Sequence, residues 1–193
     1  MDRRAPQCAS FGIRSTHSCA DVTKMTATLF TIGHSRHAAE HFLALLHAST
    51  IERLVDVRSQ PYSKWAPHFD TSALAQLLAA AGIDYVFLGR QLGGRPDDRA
   101  FYRQDGSVDY DRRRVAPDFV DGIQRLVTLA QNRRSTILCS EEDPTYCHRR
   151  LLVTPAIMRA GISVVHVRDD GRLEPEREQA AAATQLDLFG GSR

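Results

Sequence analysis

A chain of 193 residues, 42% hydrophobic and 25% charged, has room for one domain with a proper core and too little for two large ones. Its formal net charge of +2 gives no global field for attracting nucleic acid, and no apolar run approaches the roughly 18 residues of a membrane span. Of the 25 basic residues only Lys24 and Lys64 are lysine. That bias reads first as the codon usage of a GC-rich genome, and second as a taste for fork-shaped anion contacts. The four cysteines (Cys8, Cys19, Cys139, Cys147) form no dense disulfide framework, and residues 1–24 lack the apolar stretch of a secretory signal. A cytoplasmic location with reduced thiols is the expectation.

Residues 1–24 show no periodicity and read as a disordered leader, with Met25 standing directly before the first strand-like run. The domain is expected over 25–173, and 174–193 as a flexible tail. Thr28–Ile32 is a β-rich run, and residues 37–48 carry Phe42, Leu45 and Leu46 at helical spacing. Arg53–Val57 is the second strand. Asp70 is placed to N-cap a helix through Ala81, with Gly82 at C′. Asp84–Leu88 is the third strand, running into Gly89–Pro96. Residues 97–114 mix Arg and Asp with Phe101, Tyr102 and Tyr110, and read as a lid or mobile loop. Pro117–Ala130 is helical and Ser135–Cys139 is the fourth strand. A helix is expected over Pro144–Ala160, with Asp143 as N-cap, Pro144 at N1, Gly161 at C′, and Pro155 kinking or breaking its middle. Ile162–Val167 is the fifth strand, followed by an Asp169-Asp170-Gly171 turn. The alternation predicts an α/β fold with a mostly parallel sheet of about five strands and helices on both faces.

Several short motifs occur in order: Thr31-Ile32-Gly33-His34-Ser35, Asp56-Val57-Arg58, Pro61 with Ser63, Leu88-Gly89 with Leu92-Gly93-Gly94, and Cys139-x-Glu141…Cys147-His148-Arg149. Together they resemble the bacterial family catalogued as domain of unknown function 488, over about residues 28–175. The resemblance implies an α/β fold and no established reaction. Pro155 and Glu176 depart from the family's pattern. Relatives carry an unbroken helix at the first and a His near the second, which argues against a site role for 174–177.

Placed on a parallel sheet, His34 and Ser35 follow strand one, Asp56 and Arg58 end strand two, Gly93 and Gly94 follow strand three, and Cys139 and Glu141 end strand four. All then lie at carboxyl ends, where open α/β sheets bind ligands. Three chemistries compete there. In the first, Cys147 is a nucleophile, helped by a helix N-terminus, His148 and Arg149 and opposed by Glu141, Glu142 and Asp143. In the second, Cys139, Cys147, His148 and His34 ligate a metal, although adjacent Cys147 and His148 on one helix make an awkward pair of ligands. In the third, Arg58 and Arg149 bind an anion or nucleotide, with Ser35, Gly93 and Gly94 allowing close approach. Asp56, Glu141, His34 and His148 then orient side chains or move protons. The last reading competes with a purely structural ion-pair network. Trp65, Tyr62 and Phe69 suggest either base stacking or packing anchors. The enzyme class implied is a hydrolase or transferase acting on a phosphate-containing substrate; the sequence names no cofactor and no oligomeric state.

The tail contains Gln185-Leu186-Asp187-Leu188-Phe189, which resembles the pentapeptide that docks bacterial replication and repair proteins on the DNA polymerase sliding clamp. Gln185 suits the rim of a groove, and Leu186, Leu188 and Phe189 suit its apolar floor, with an affinity in the micromolar range, about −7 to −8 kcal/mol. DNA contact is then indirect, or through Arg99, Arg103, Arg112, Arg113 and Arg114 of the 97–114 excursion. The alternative is a small-molecule enzyme whose tail packs on its own core.

Overall fold

The computed structural model describes residues 27–177. The leader 1–24 and the Gln185–Phe189 peptide lie outside the described residues.

Six strands form one sheet: β1 (Thr28–Gly33), β2 (Arg53–Asp56), β3 (Asp84–Phe87), β4 (Ser135–Cys139), β5 (Ser163–Val167) and β6 (Leu173–Pro175), in the order β3-β2-β4-β1-β5-β6. The first five are parallel, and β6 runs antiparallel to β5. The fold is α/β. Glu174 and Pro175, expected to open the tail, instead belong to this sixth strand. Leu-Glu-Pro carries too little apolar signal to read as a strand; pairing with β5 and the bonds of the half-buried Glu176 hold it. Glu176 accepts from Arg150 Nε at 2.7 Å and from His166 Nε2 at 3.0 Å, while His166 Nδ1 meets the Thr31 hydroxyl at 2.7 Å.

Apolar residues alternate between the faces. Leu29, Val55, Ile137 and Val164 face a core closed by α5 (Pro117–Asn132) and α6 (Thr154–Arg159). Phe30, Leu54, Leu138 and Val167 face a second core closed by α1 (Ala39–Ala48) and α2 (Thr71–Ala80). Burial on both faces is why the strands read as nearly continuous apolar runs. In α1, Phe42, Leu45 and Leu46 are the buried face. Gly82 and Gly161 sit at φ +72° and +80° after their helices, as a C′ residue requires. Asp70 precedes α2 but makes no side-chain cap there; its carboxylate accepts from Ser63 N instead.

The helix expected over Pro144–Ala160 is different. Asp143 accepts from Thr145 N at 2.8 Å, closing a turn rather than starting a helix. Helical geometry begins at His148, Arg149–Val153 is a π-turn, and α6 follows with Pro155 in its first turn. Pro155 has no N–H for Leu151 O, and its ring crowds that carbonyl in a regular helix. Widening the turn relieves the crowding: Thr154 N–H reaches back to Arg149 O, and Leu151 O accepts from Arg114 Nη2 at 2.6 Å.

The 97–114 excursion is pinned, not loose. A 3₁₀ turn (Arg99–Phe101), a Tyr102–Val108 bridge and α4 (Tyr110–Arg114) organise it after the short α3 (Gly89–Leu92). Arg113 is buried at its root, forked onto Asp118 at 2.6 and 2.7 Å, with Gln91 O at 2.6 Å and the rings of Phe101 and Phe119 against it. Arg103 pairs with Asp109, Arg112 donates to Ala100 O and Arg114 to Asp111. Arg113 and Arg114 thus tie the excursion to its surroundings, Arg103 and Arg112 bond within it, and the Arg99 guanidinium lies over the Tyr102 ring.

Candidate functional site

Parallel pairing sets Gly33 of β1 opposite Cys139 of β4, and Asp56 of β2 opposite Leu138, so three carboxyl ends finish level. The loop leaving β4 is clamped onto them. His34 N donates to Cys139 O at 3.0 Å and Ser35 N to Ser140 O at 2.8 Å. The Arg149 guanidinium, fully buried, donates to the carbonyls of Glu141 and Glu142. Arg168 holds the Glu142 carboxylate at 2.8 and 3.0 Å. A Cβ on residue 33 would stand 1.7 Å from Glu141 O, so only glycine lets the loop cross there.

That clamp brings four reactive groups together. The Cys139 and Cys147 thiols lie 2.8 and 3.2 Å from Glu141 Oε2, and 3.4 and 3.9 Å from His148 Nδ1. His148 Nε2–H donates to Val57 O at 3.0 Å, which leaves the Nδ1 lone pair facing the sulfurs. The imidazole packs on Gly94, where a Cβ would come within 2.6 Å of the His148 side chain. Ligand atoms of Cys139, Cys147 and His148 all lie within 4.8 Å of one another, so the three can hold a metal ion. The neighbouring Cys139 thiol pulls the Cys147 thiol down to about 6, against burial and with help from the Arg149 charge. Cys147 beside it, and then burial, push Cys139 up. Burial raises Glu141, but the S–H donors and a backbone N–H more than offset it and hold the carboxyl below its usual range.

A second polar group lies behind this one. Asp56 is buried; its Oδ1 accepts from Arg58 N at 3.0 Å and Nε at 2.9 Å, and its Oδ2 from Arg58 Nη2 at 2.6 Å and the Tyr85 hydroxyl at 2.9 Å. Arg58 also donates to Phe69 O at 2.8 Å and, at 3.1 Å, to His34 Nε2. His34 therefore carries its proton on Nδ1, aimed at Ser35 O, and stacks on Phe69 with centroids 4.4 Å apart. Burial, and then the Arg58 charge, lower its pKa to about 4. Burial and the neighbouring Asp56 push the Tyr85 phenol up.

A cavity of about 420 Å³ opens onto the thiol cluster. Of the residues expected at the site, Arg58, Gly94, Cys139, Glu141, Cys147 and His148 line it, whereas His34, Ser35, Asp56, Gly93 and Arg149 do not. Asp56 and His34 hold Arg58, and Arg149 holds the loop. The wall also includes residues that sequence reasoning left out: Ser59, Gln60, Arg95, Tyr110 and Tyr146, with Tyr62 recognised only as a stacking candidate. Arg95 was findable, since it directly follows the Gly93-Gly94 approach. Tyr146 (88% exposed) and Tyr62 (65%) stand at the rim. Trp65 is also exposed, so it is no packing anchor, but it is not part of the wall. Burial and the nearby thiols push the Tyr110 phenol up, keeping it a hydroxyl.

A family model, Domain of unknown function DUF488, matches residues 38–155, more than half of the chain. The chain belongs to that family. The DUF488 match takes in α1 through the π-turn, and so every residue of the cavity wall; it stops short of β1, β5 and β6 on either side. Searches of curated proteins and of solved structures gave no match. Among the described residues no helix is long and apolar enough to cross a membrane.

Proposed function

We propose that the cavity at the carboxyl edge binds a phosphate-bearing ligand of nucleotide size, as the site of a hydrolase or transferase. The observation that carries this reading is the wall itself. Arg95, exposed and in no ion pair among the described residues, lines the cavity together with Ser59, Gln60, Glu141 and the two thiols. A free guanidinium supplies the bidentate phosphate contact. The exposed rings of Tyr62 and Tyr146 at the rim offer faces for a base. The volume lies within the range of small-molecule sites. Glu141 is the group placed to accept a proton from an attacking hydroxyl. Arg149 has no part in ligand binding here, because two carbonyls occupy its fork.

A thermal-shift series with nucleotides and inorganic phosphate tests the reading. A ligand at 100 times its Kd stabilises by about 2.7 kcal/mol, a rise of roughly 5–10 °C for a domain of this size. Arg95→Ala should remove most of that rise without moving the melting temperature of the free protein. No rise with any nucleotide in the wild type would overturn the proposal.

The tail supports a second, separate element of function. Gln185, Leu186, Leu188 and Phe189 match what a clamp groove recognises, so we place the protein in the cytosol, docked to the sliding clamp during DNA replication or repair. Capture of the full-length chain on immobilised clamp, lost in Gln185→Ala/Phe189→Ala, is the expected result. Equal capture of both proteins would remove the tether.

A further inference from the structure

Two thiols that served only as small apolar side chains would pack among aliphatic groups. Cys139 and Cys147 instead face a carboxylate oxygen, an imidazole lone pair and an open cavity. We propose that Cys139, Cys147 and His148 form a centre for a thiophilic divalent cation of the zinc type, with its fourth position open to the cavity and Glu141 beside it.

The geometry is that of a preformed coordination shell. Tetrahedral arms of about 2.3 Å to sulfur and about 2.0 Å to nitrogen leave adjacent S and N ligands roughly 3.5 Å apart. The two thiols stand 3.4 and 3.9 Å from Nδ1. Little movement is needed for a cation to enter between them. Soft sulfur donors with one imidazole favour zinc over magnesium or calcium.

The surroundings also suit a metal. A ligating imidazole normally donates its other N–H to a carbonyl or carboxylate, which fixes its tautomer and aim. His148 does so through Val57 O at 3.0 Å, at the end of β2. Gly94 packs against the His148 side chain, and the buried Arg149 fork fixes the loop between the two cysteines. The objection that neighbouring residues of a helix point to different sides does not apply to Cys147 and His148. Residues 144–147 form a turn, and helical geometry begins only at His148, so both side chains reach one point. The fourth position opens where Glu141, Arg58 and Tyr110 line the cavity. A water or phosphate oxygen on the metal would sit there, with the Glu141 carboxylate as its acceptor.

This centre does not depend on the nucleotide reading, and the experiments separate the two. In a full-length Cys8→Ser/Cys19→Ser background, only Cys139 and Cys147 remain to be counted. Reduced protein titrated with Co2+ should bind one equivalent and develop the intense visible bands of a tetrahedral site together with near-ultraviolet thiolate charge transfer. Zn2+ should displace it and block both thiols from Ellman's reagent. Cys139→Ser, Cys147→Ser and His148→Ala should each weaken Zn2+ binding by more than about 100-fold, the upper end of what losing a mere supporting group does. Glu141→Gln should keep the Co2+ spectrum, and Arg95→Ala should leave metal affinity unchanged while losing the nucleotide shift. An octahedral spectrum, no binding of Co2+ or Zn2+ by the reduced protein, or undiminished binding in the Cys147→Ser and His148→Ala variants would overturn the proposal. Rapid oxidation of the two thiols to a Cys139–Cys147 disulfide by added oxidised glutathione, with two equivalents of reduced glutathione released, in the presence of excess Zn2+ would overturn it as well, in favour of a redox pair.

Discussion

The Asp56–Arg58–Tyr85–His34 group and the Cys139–Cys147–His148–Glu141 group lie against each other at the same sheet edge, joined by the bond from His148 to Val57 O. In the first, each carboxylate oxygen has two donors, the guanidinium reaches a carboxylate, a carbonyl and an imidazole, and Asp56, Arg58 and His34 are buried. In the second, two sulfurs crowd one carboxylate oxygen and one imidazole nitrogen, and the cavity opens on them. Both groups are rich in reactive residue types. What separates support from site is whether the polar capacity is already spent.

The contrast is sharpest under mutation. Asp56→Ala strands a buried guanidinium and should cost about 3–5 kcal/mol in urea unfolding, whereas Glu141→Ala, at an exposed position, should cost about 1 kcal/mol or less. Equal costs would dissolve the distinction between the two groups.

Acid provides a second measure. The folded pKa of His34 is lowered from 6.5 to about 4. Its neutral form therefore contributes stability that is fully present above pH 6.5 and lost as the pH falls toward 4, on the order of 3 kcal/mol. His34→Gln keeps an acceptor for Arg58 and should flatten the decline between pH 6.5 and 4, read as unfolding free energy against pH. An unchanged slope in the variant would place that acid sensitivity elsewhere in the fold.

Gly94→Ala tests the junction between support and site. Its Cβ would meet His148 at 2.6 Å, costing about 1–3 kcal/mol by overpacking. It should also weaken Zn2+ binding about tenfold by turning the ring; a full-affinity variant would show that the ring's position is not critical. The smallest effect on stability belongs to Tyr146→Ala at the rim, within about 0.5 kcal/mol. A thermal-shift titration of that variant should show nucleotide affinity several-fold lower, and unchanged affinity would remove the ring from the ligand site.

The elements were legible where burial on both faces of a strand, or on one stripe of a helix, left an apolar pattern. β4 was read to the residue, and Gly82 and Gly161 marked their helix ends because positive φ favours glycine. β6 was not legible, since Leu-Glu-Pro is held by pairing with β5 and by the Glu176 network rather than by its own pattern. Pro155 announced a break in the last helix, but not that a π-turn and Arg114 would absorb it.

The sequence by itself determined the α/β alternation and brought the Asp-Val-Arg, Gly-Gly and Cys…Cys-His-Arg segments to one edge, because strand direction follows from chain order in a parallel sheet. Only the tertiary structure decided which arginines of these segments are spent and which is left at the cavity. Arg58, Arg113 and Arg149 are committed to partners 2, 5, 7 and 8 residues away in sequence and also to the distant Phe69 and Gln91 carbonyls, whereas Arg95 is left facing the cavity. Hydrogen-bond saturation depends on which backbone carbonyls and carboxylates packing brings within about 3 Å, and residue identity does not carry that information.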